Sequence, residues 1–210
     1  MGFRIEEKIK LHFSDYIKLK NKIFELGGKN IYKQRKISSV YFDNKNFDMF
    51  NDSEEGCVPR KKIRLRRYPE NDDGKYYFET KITSSEGKFK KSNFYNKDNF
   101  LKYLEDGIVD NSYGLIKKKI IISYSREYFV LENTRLTLDY NINYSNINEK
   151  NNFFDNESLI LEIKANNNVV AVQEKLKNIL PLRRERFSKY CEGINKLFNK
   201  SSSQRLFYSI

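Results

Sequence analysis

"RKKIRLRRY", residues 60–68, sets the terms for the rest of the chain. Read as a strand, in which alternate side chains share a face, it puts Arg60, Lys62, Arg64 and Arg66 on one side and Ile63 and Leu65 on the other. At a rise of about 3.3 Å per residue, neighbouring charges on that face lie roughly 6.6 Å apart. Each adjacent pair then repels by on the order of 2 kcal/mol at an effective dielectric near 20. A domain is stable by only about 5–15 kcal/mol, so the row is tolerable on a wet surface. In an enclosed place it calls for an anion.

The rest of the composition points the same way. Forty Lys and Arg against 28 Asp and Glu give a net charge of +12 in 210 residues, which suits a polyanionic partner such as a phosphorylated metabolite, polyphosphate, nucleic acid or an anionic membrane surface. Cys57 and Cys191 lie far apart with no CxxC spacing, which argues against a structural zinc site and a disulfide framework. There is no run of 18 apolar residues and no apolar stretch near residue 1, so the reading is a cytoplasmic protein, with any membrane contact peripheral or through a partner.

Period-2 segments dominate. Residues 3–11, 38–44, 60–68, 76–82, 88–94, 119–130, 134–140 and 158–165 alternate apolar with charged or polar side chains and predict about eight strands. Helices are expected from Ser14 to Gly28 with Ser14 as cap, at 98–107 with Phe100, Leu101 and Leu104 on one stripe, at 169–180, and at 188–198 capped by Ser188. The Asn-rich segment 141–156 reads as a loop, and 201–210 as a tail after a single domain over 1–200.

The fold class is therefore α+β, an eight-stranded antiparallel sheet with flanking helices. Two arrangements satisfy the pattern. The charged faces can be solvated on an open sheet, or the sheet can close into a barrel whose interior carries Arg4, Lys8, Lys10, Arg60, Lys62, Arg64, Arg66, Lys81, Arg126, Arg135 and Lys164, with Glu6, Glu79, Asp139 and Glu162 among them.

The ordered segments "FRIEEK", "SSVYFDN", "RKKIRLRRY", "YFETK", "YSREYF", "RLTLD", "LEIK" and "RFSKY" resemble the VTC (vacuolar transporter chaperone) domain of polyphosphate polymerases, within the triphosphate tunnel superfamily that also holds the CYTH-type hydrolases and cyclases. The resemblance runs from about Phe3 to Tyr190. It implies a tunnel barrel, ATP as phosphoryl donor, Mn2+ or Mg2+, and growth of an inorganic polyphosphate chain. The hydrolase branch opens with ExExK, whereas this chain has Arg4-x-Glu6-x-Lys8, as the polymerase branch does. That exchange trades a metal ligand for a phosphate binder.

Carried over by position, the resemblance implies that Lys8, Arg64, Arg66, Lys81, Arg126, Arg135 and Lys189 surround the reacting phosphates, with Arg4, Arg60, Lys62, Lys164, Arg186 and Ser188 binding substrate or product. Glu162 matches the family's metal-binding glutamate, and Glu6 and Glu79 either assist the metal or hold neighbouring arginines. The implied partners are ATP, polyphosphate or pyrophosphate and a separate membrane protein, with no nucleic acid. The chemistry asks little of the protein, because phosphoryl transfer is accelerated mostly by alignment and charge neutralisation and a phosphate nucleophile is already ionised. His12 is the only histidine and no nucleophile–base set can be assembled. "GGKN" at 27–30 follows a helix instead of opening one, which rules out a P-loop. The alternatives are a tunnel hydrolase acting on a triphosphate and a noncatalytic barrel that binds polyphosphate or nucleic acid.

Overall fold

The computed structural model describes residues 5–70, 75–147, 151–165, 172, 174–176 and 187–199. Arg4, Arg186, the tail at 201–210 and most of the helix expected at 169–180 lie outside them. The strands are β1 (Ile5–His12), β2 (Lys29–Asp43), β3 (Arg60–Arg67), β4 (Tyr76–Ser84), β5 (Gly87–Tyr95), β6 (Ile108–Asp110), β7 (Gly114–Leu131), β8 (Thr134–Asn146), β9 (Asn152–Asp155) and β10 (Ser158–Ala165). The helices are α1 (Tyr16–Glu25), α2 (Asp48–Glu55), α3 (Lys97–Asp106) and α4 (Lys189–Ile194).

Eight of the strands form one hydrogen-bonded path, β1-β10-β8-β7-β2-β3-β4-β5, with β6 paired to β7 and β9 to β8. All eight expected strands are present. The path begins at β1 and ends at β5, and among the described residues those two ends are not joined by pairing. The Asn-rich stretch at 141–156 is a correction to the expected loop: β8 continues to Asn146 and β9 starts at Asn152, because Ile142, Tyr144 and Asn146 alternate inward.

The chain divides into two compact units. Unit 1 is Met1–Lys36, Tyr124–Ile142 and Phe154–Phe187; unit 2 is Ile37–Ser123, Asn143–Phe153 and Ser188–Ile210. In unit 1 the apolar faces of β1, β8 and β10 (Ile9, Leu11, Leu136, Leu138, Leu159, Leu161, Ile163) meet Leu19 and Ile23 of α1 and Phe129 and Leu131 of β7. Leu19 and Ile23 are four apart, so they share one helix face. The helix stops where Gly27, at φ +84, and Gly28 return their N–H groups to the carbonyls of Phe24 and Ile23. Ser14 is not its cap, a correction: it lies in a 3-10 turn, Phe13–Asp15, where the His12 ring accepts from the Ser14 N–H, and the Asp15 side chain at the helix start makes no capping bond.

In unit 2, Ile63 and Leu65 of β3 are buried with Val40, Phe42, Met49, Phe100 and Ile116. The row of cations in β3 is thereby committed to the other face. Helix α3 is capped by Asn96 and packs through Phe100, Tyr103 and Leu104, while Leu101 is exposed. Ser188 caps α4 by accepting from the Cys191 N–H at 3.4 Å, as expected. Within α4, a Cβ on Gly193 would stand 2.7 Å from the buried Tyr144 ring and 2.8 Å from Ile120, so this helix sits close to the sheet only because it has no side chain there.

Gly193→Ala therefore overpacks unit 2. The expected cost is about 1–3 kcal/mol despite the better helix propensity of alanine, read as a lowered midpoint in a denaturant melt.

Candidate functional site

Two cations of β3, Arg64 and Arg66, meet an acid on the next strand. The β3–β4 register sets Arg64 opposite Glu79, Lys62 opposite Lys81 and Arg66 opposite Tyr77, and the β4–β5 register sets Lys81 opposite Lys90. Arg64 donates to Glu79 Oε2 through Nε at 2.7 Å and Nη2 at 2.6 Å. Lys90 Nζ reaches Glu79 Oε1 at 2.6 Å, and Arg66 Nη1 lies 3.6 Å from Oε2. Glu79 is buried, which by itself raises its pKa, but Arg64, Arg66 and Lys90 outweigh that and hold it down at about 2. Together these four groups carry +2.

Neutral groups also fix cations of unit 2. Arg64 Nη1 donates to the Tyr41 hydroxyl at 2.7 Å, Arg66 Nε to Ser39 Oγ at 3.3 Å, and Lys62 Nζ to Ser188 Oγ at 2.8 Å. Arg60 Nη1 donates to the carbonyls of Gly56 and Cys57, just past the C-terminus of α2, where a cation is favoured. Lys189 opens α4 and its charge is felt at the Tyr41 phenol.

Unit 1 carries a second set. Arg126 grips Asp139 with a two-pronged bond, Nε to Oδ1 at 2.5 Å and Nη2 to Oδ2 at 2.6 Å, and Nη2 also reaches Glu162 at 3.3 Å. Lys8 stands opposite Glu162 across the β1–β10 pair and lies 3.7 Å from Glu6. Lys164 Nζ is 3.1 Å from Glu162 Oε1 and 3.9 Å from Glu6 Oε2. Burial raises the pKa of Glu162; Lys164, Arg126 and Lys8 more than reverse this and keep it well below the usual carboxylate range. Arg126 is also buried, which lowers its pKa, yet Asp139 and Glu162 hold it well above its ordinary value. Arg135, opposite Lys164, is exposed and lies over the Tyr128 ring at 5.3 Å.

The expected residues thus fall into two sets. Lys8, Arg126, Arg135, Lys164, Glu6 and Glu162 gather in unit 1; Lys62, Arg64, Arg66, Lys81, Lys189, Ser188 and Glu79 gather in unit 2. Arg60 is turned to backbone carbonyls.

A family model for the VTC domain matches residues 3–198. The chain belongs to the VTC domain family. Its fold is that of CYTH-like triphosphate tunnel proteins. A candidate adenylate cyclase from Bacillus halodurans aligns at TM-score 0.62 and 18% identity over 94% of this chain and 100% of its own. A candidate adenylyl cyclase from Hippeastrum with a dominant triphosphatase activity aligns at 0.53 and 14% over 92% and 97%, and a protein from Pyrococcus horikoshii at 0.54 and 14% over 91% and 99%. No curated protein matches.

Glu79, expected either to assist a metal or to hold neighbouring arginines, serves as counter-ion to three cations. Glu6 and Glu162, which share the ammonium of Lys164, are the carboxylates that could hold a hard dication, since Mg2+-type sites commonly add substrate phosphates to one or two carboxylates. Among the described residues no group of three or more His, Cys, Asp or Glu is placed to hold a metal, so phosphate oxygens would complete such a set. Lys90 and Tyr41 are not among the expected site residues, and Asp139 is expected only as one of the carboxylates on the charged faces. Lys90 and Asp139 have a signal in alternation, since each lies on the charged face of its strand, but their partners follow from register.

Because Glu79 ionises more readily in the folded state, it contributes stability that is fully present above its unfolded value near pH 4.5 and lost as pH falls towards about 2. Glu79→Gln should lack that acid limb and be less stable above it by on the order of 3 kcal/mol. Denaturant melts of both proteins through the acid range check this.

Proposed function

We propose that this VTC domain is an ATP:polyphosphate phosphotransferase, moving the γ-phosphate of ATP onto a growing inorganic polyphosphate chain. The observation that carries the reading is the gathering of Arg64, Arg66 and Lys90 on a single carboxylate, with Lys62, Lys81 and Lys90 in register across β3, β4 and β5. Such a wall suits a ligand that repeats its negative charge. The triphosphatase activity of the Hippeastrum protein supports the reading, because it places phosphoryl chemistry on a similar fold.

In this reading Arg64 and Arg66 bind phosphoryl oxygens through their planar forks, and Lys62, Lys81 and Lys189 supply compact charge along the chain. Arg60 and Ser188 act one step back: Arg60 ties the loop before β3, and Ser188 orients Lys62 while capping α4. In unit 1, Arg126 and Lys8 neutralise phosphate charge, Arg135 presents an exposed guanidinium, and Glu162 with Glu6 would hold Mn2+ or Mg2+. When bound, the metal supplies a Lewis acid that offsets charge on phosphoryl oxygens. Asp139 keeps Arg126 in one orientation. No general base is required, since the attacking phosphate oxygen is ionised near neutral pH.

Residues 1–200 act as one domain in this proposal, with Arg4 and Arg186 as further phosphate binders. The partners are ATP and polyphosphate or pyrophosphate, a separate membrane protein handles any transfer across a bilayer, and the location is the cytoplasm. Among the described residues no helix is long and apolar enough to cross a membrane.

Incubation of the purified protein with ATP and Mn2+ should yield long phosphate chains, and chelation with EDTA should stop it. Glu162→Gln should keep ATP affinity within a few-fold while turnover falls by roughly a hundredfold or more, as when one stabilising group of a transition state is removed. Gel sizing of the product reads the outcome. Orthophosphate as the sole product selects the triphosphate hydrolase instead, and strongly salt-dependent binding without turnover selects a polyanion-binding barrel.

A further inference from the structure

Unit 2 buries a phenol whose own hydrogen has nowhere to go. Tyr41 of β2 is 6% exposed, and its oxygen accepts from Arg64 Nη1 at 2.7 Å. Its ring is stacked on Tyr190 of α4, with centroids 5.2 Å apart and planes 14° from parallel. Tyr190 is itself pinned: its hydroxyl donates to Asp43 Oδ2 at 2.6 Å, and Asp43 also accepts from the N–H groups of Asn44, Met49 and Phe50. The Tyr41 oxygen is therefore held in one place by two elements, β3 through Arg64 and α4 through the stacked ring.

A phenol oxygen that accepts from a guanidinium still has one O–H to donate. Among the described residues no acceptor receives it. The charged groups that act on the phenol are Arg64 and Arg66 of β3 and Lys189 of α4, and arginine and lysine side chains only donate. Behind them stand Glu79 of β4, which is bonded to Arg64, Arg66 and Lys90, and Asp43, which is bonded to Tyr190. A buried donor surrounded by donors fits an acceptor that arrives from outside, and an acceptor drawn by three cations is an anion.

We propose that the Tyr41 O–H donates to a phosphoryl oxygen of the substrate held by Arg64, which makes Tyr41 a phosphate-contacting residue of the site in unit 2. The assignment rests on the phosphoryl-transfer reading above. It gives the site a neutral donor among its cations, one that binds an oxygen without adding to the repulsion between Arg64, Arg66 and Lys189. It also makes binding sensitive to alkali. Burial raises the phenol's pKa, but Arg64, Arg66 and Lys189 lower it further, so it ionises below its ordinary value. A phenolate cannot donate and repels phosphate.

The test is calorimetric titration of the full chain with inorganic tripolyphosphate, comparing wild type with Tyr41→Phe from neutral to alkaline pH. The substitution keeps the ring and its stack on Tyr190. At neutral pH the variant should bind about tenfold more weakly, the loss expected for one hydrogen bond to a charged group. The difference should shrink as pH rises, because the wild type loses its donor and the variant has none, while lysine deprotonation weakens both. Equal affinity, or parallel pH profiles, overturns the assignment and leaves the phosphoryl-transfer reading in place. Failure of the wild type to bind tripolyphosphate overturns both. If Tyr41→Phe does not fold, the unmutated sequence made with 3-fluorotyrosine decides: a more acidic phenol should move the alkaline loss of affinity to lower pH, and an unmoved profile overturns the assignment.

Discussion

Around Glu79 one carboxylate faces three cations, and most of what is distinctive in unit 2 depends on that meeting. Burial of Ile63 and Leu65 in the unit's core leaves Arg64 and Arg66 no choice of face. Their repulsion is offset by an acid delivered from β4, whose carboxylate is deep enough that water screens it poorly and close enough to Arg64 for two bonds. Removing one partner of such a buried pair costs more than the pair itself contributes, because the remaining charge is left without compensation. The arrangement therefore fixes the guanidiniums in place while leaving the local charge positive.

Unit 1 meets the same problem with more acid. Arg126 is held by Asp139 on β8 and Glu162 on β10, and Lys164 is shared between Glu162 and Glu6. Here carboxylates match cations closely, and the spot between Glu6 and Glu162 already takes an ammonium. The two units thus offer different electrostatic environments: a cation-rich wall in unit 2, and in unit 1 a mixed set with a seat for positive charge.

Supporting residues carry as much of the geometry as those that face the charges. Asp43 caps the start of α2 through Met49 and Phe50 and also receives the Tyr190 hydroxyl. One buried carboxylate therefore ties a helix, a stacked tyrosine pair and, through Tyr41, the fork of Arg64. Helix α2 itself was not expected from "DMFNDSEE": only Met49 and Ser53 of its residues are buried, too little for an apolar stripe to announce it. It forms because Asp43 and Asn44 satisfy its first N–H groups.

Local pattern was enough to place the strands and to say which face of each is apolar, since side-chain direction alternates with a period of two and requires no knowledge of neighbours. Thus Ile63 and Leu65 could be sent inward and Arg64 and Arg66 to the opposite face, and the ordered motifs could be matched to the VTC domain. Which acid meets which base was decided only by tertiary structure. Glu79 faces Arg64, Lys8 faces Glu162 and Lys90 faces Lys81 because of strand order and register, and these follow from the packing of segments far apart in the chain. A carboxylate on a charged face reads the same in sequence whether it will neutralise arginines, as Glu79 does, or share an ammonium with a second acid, as Glu162 does.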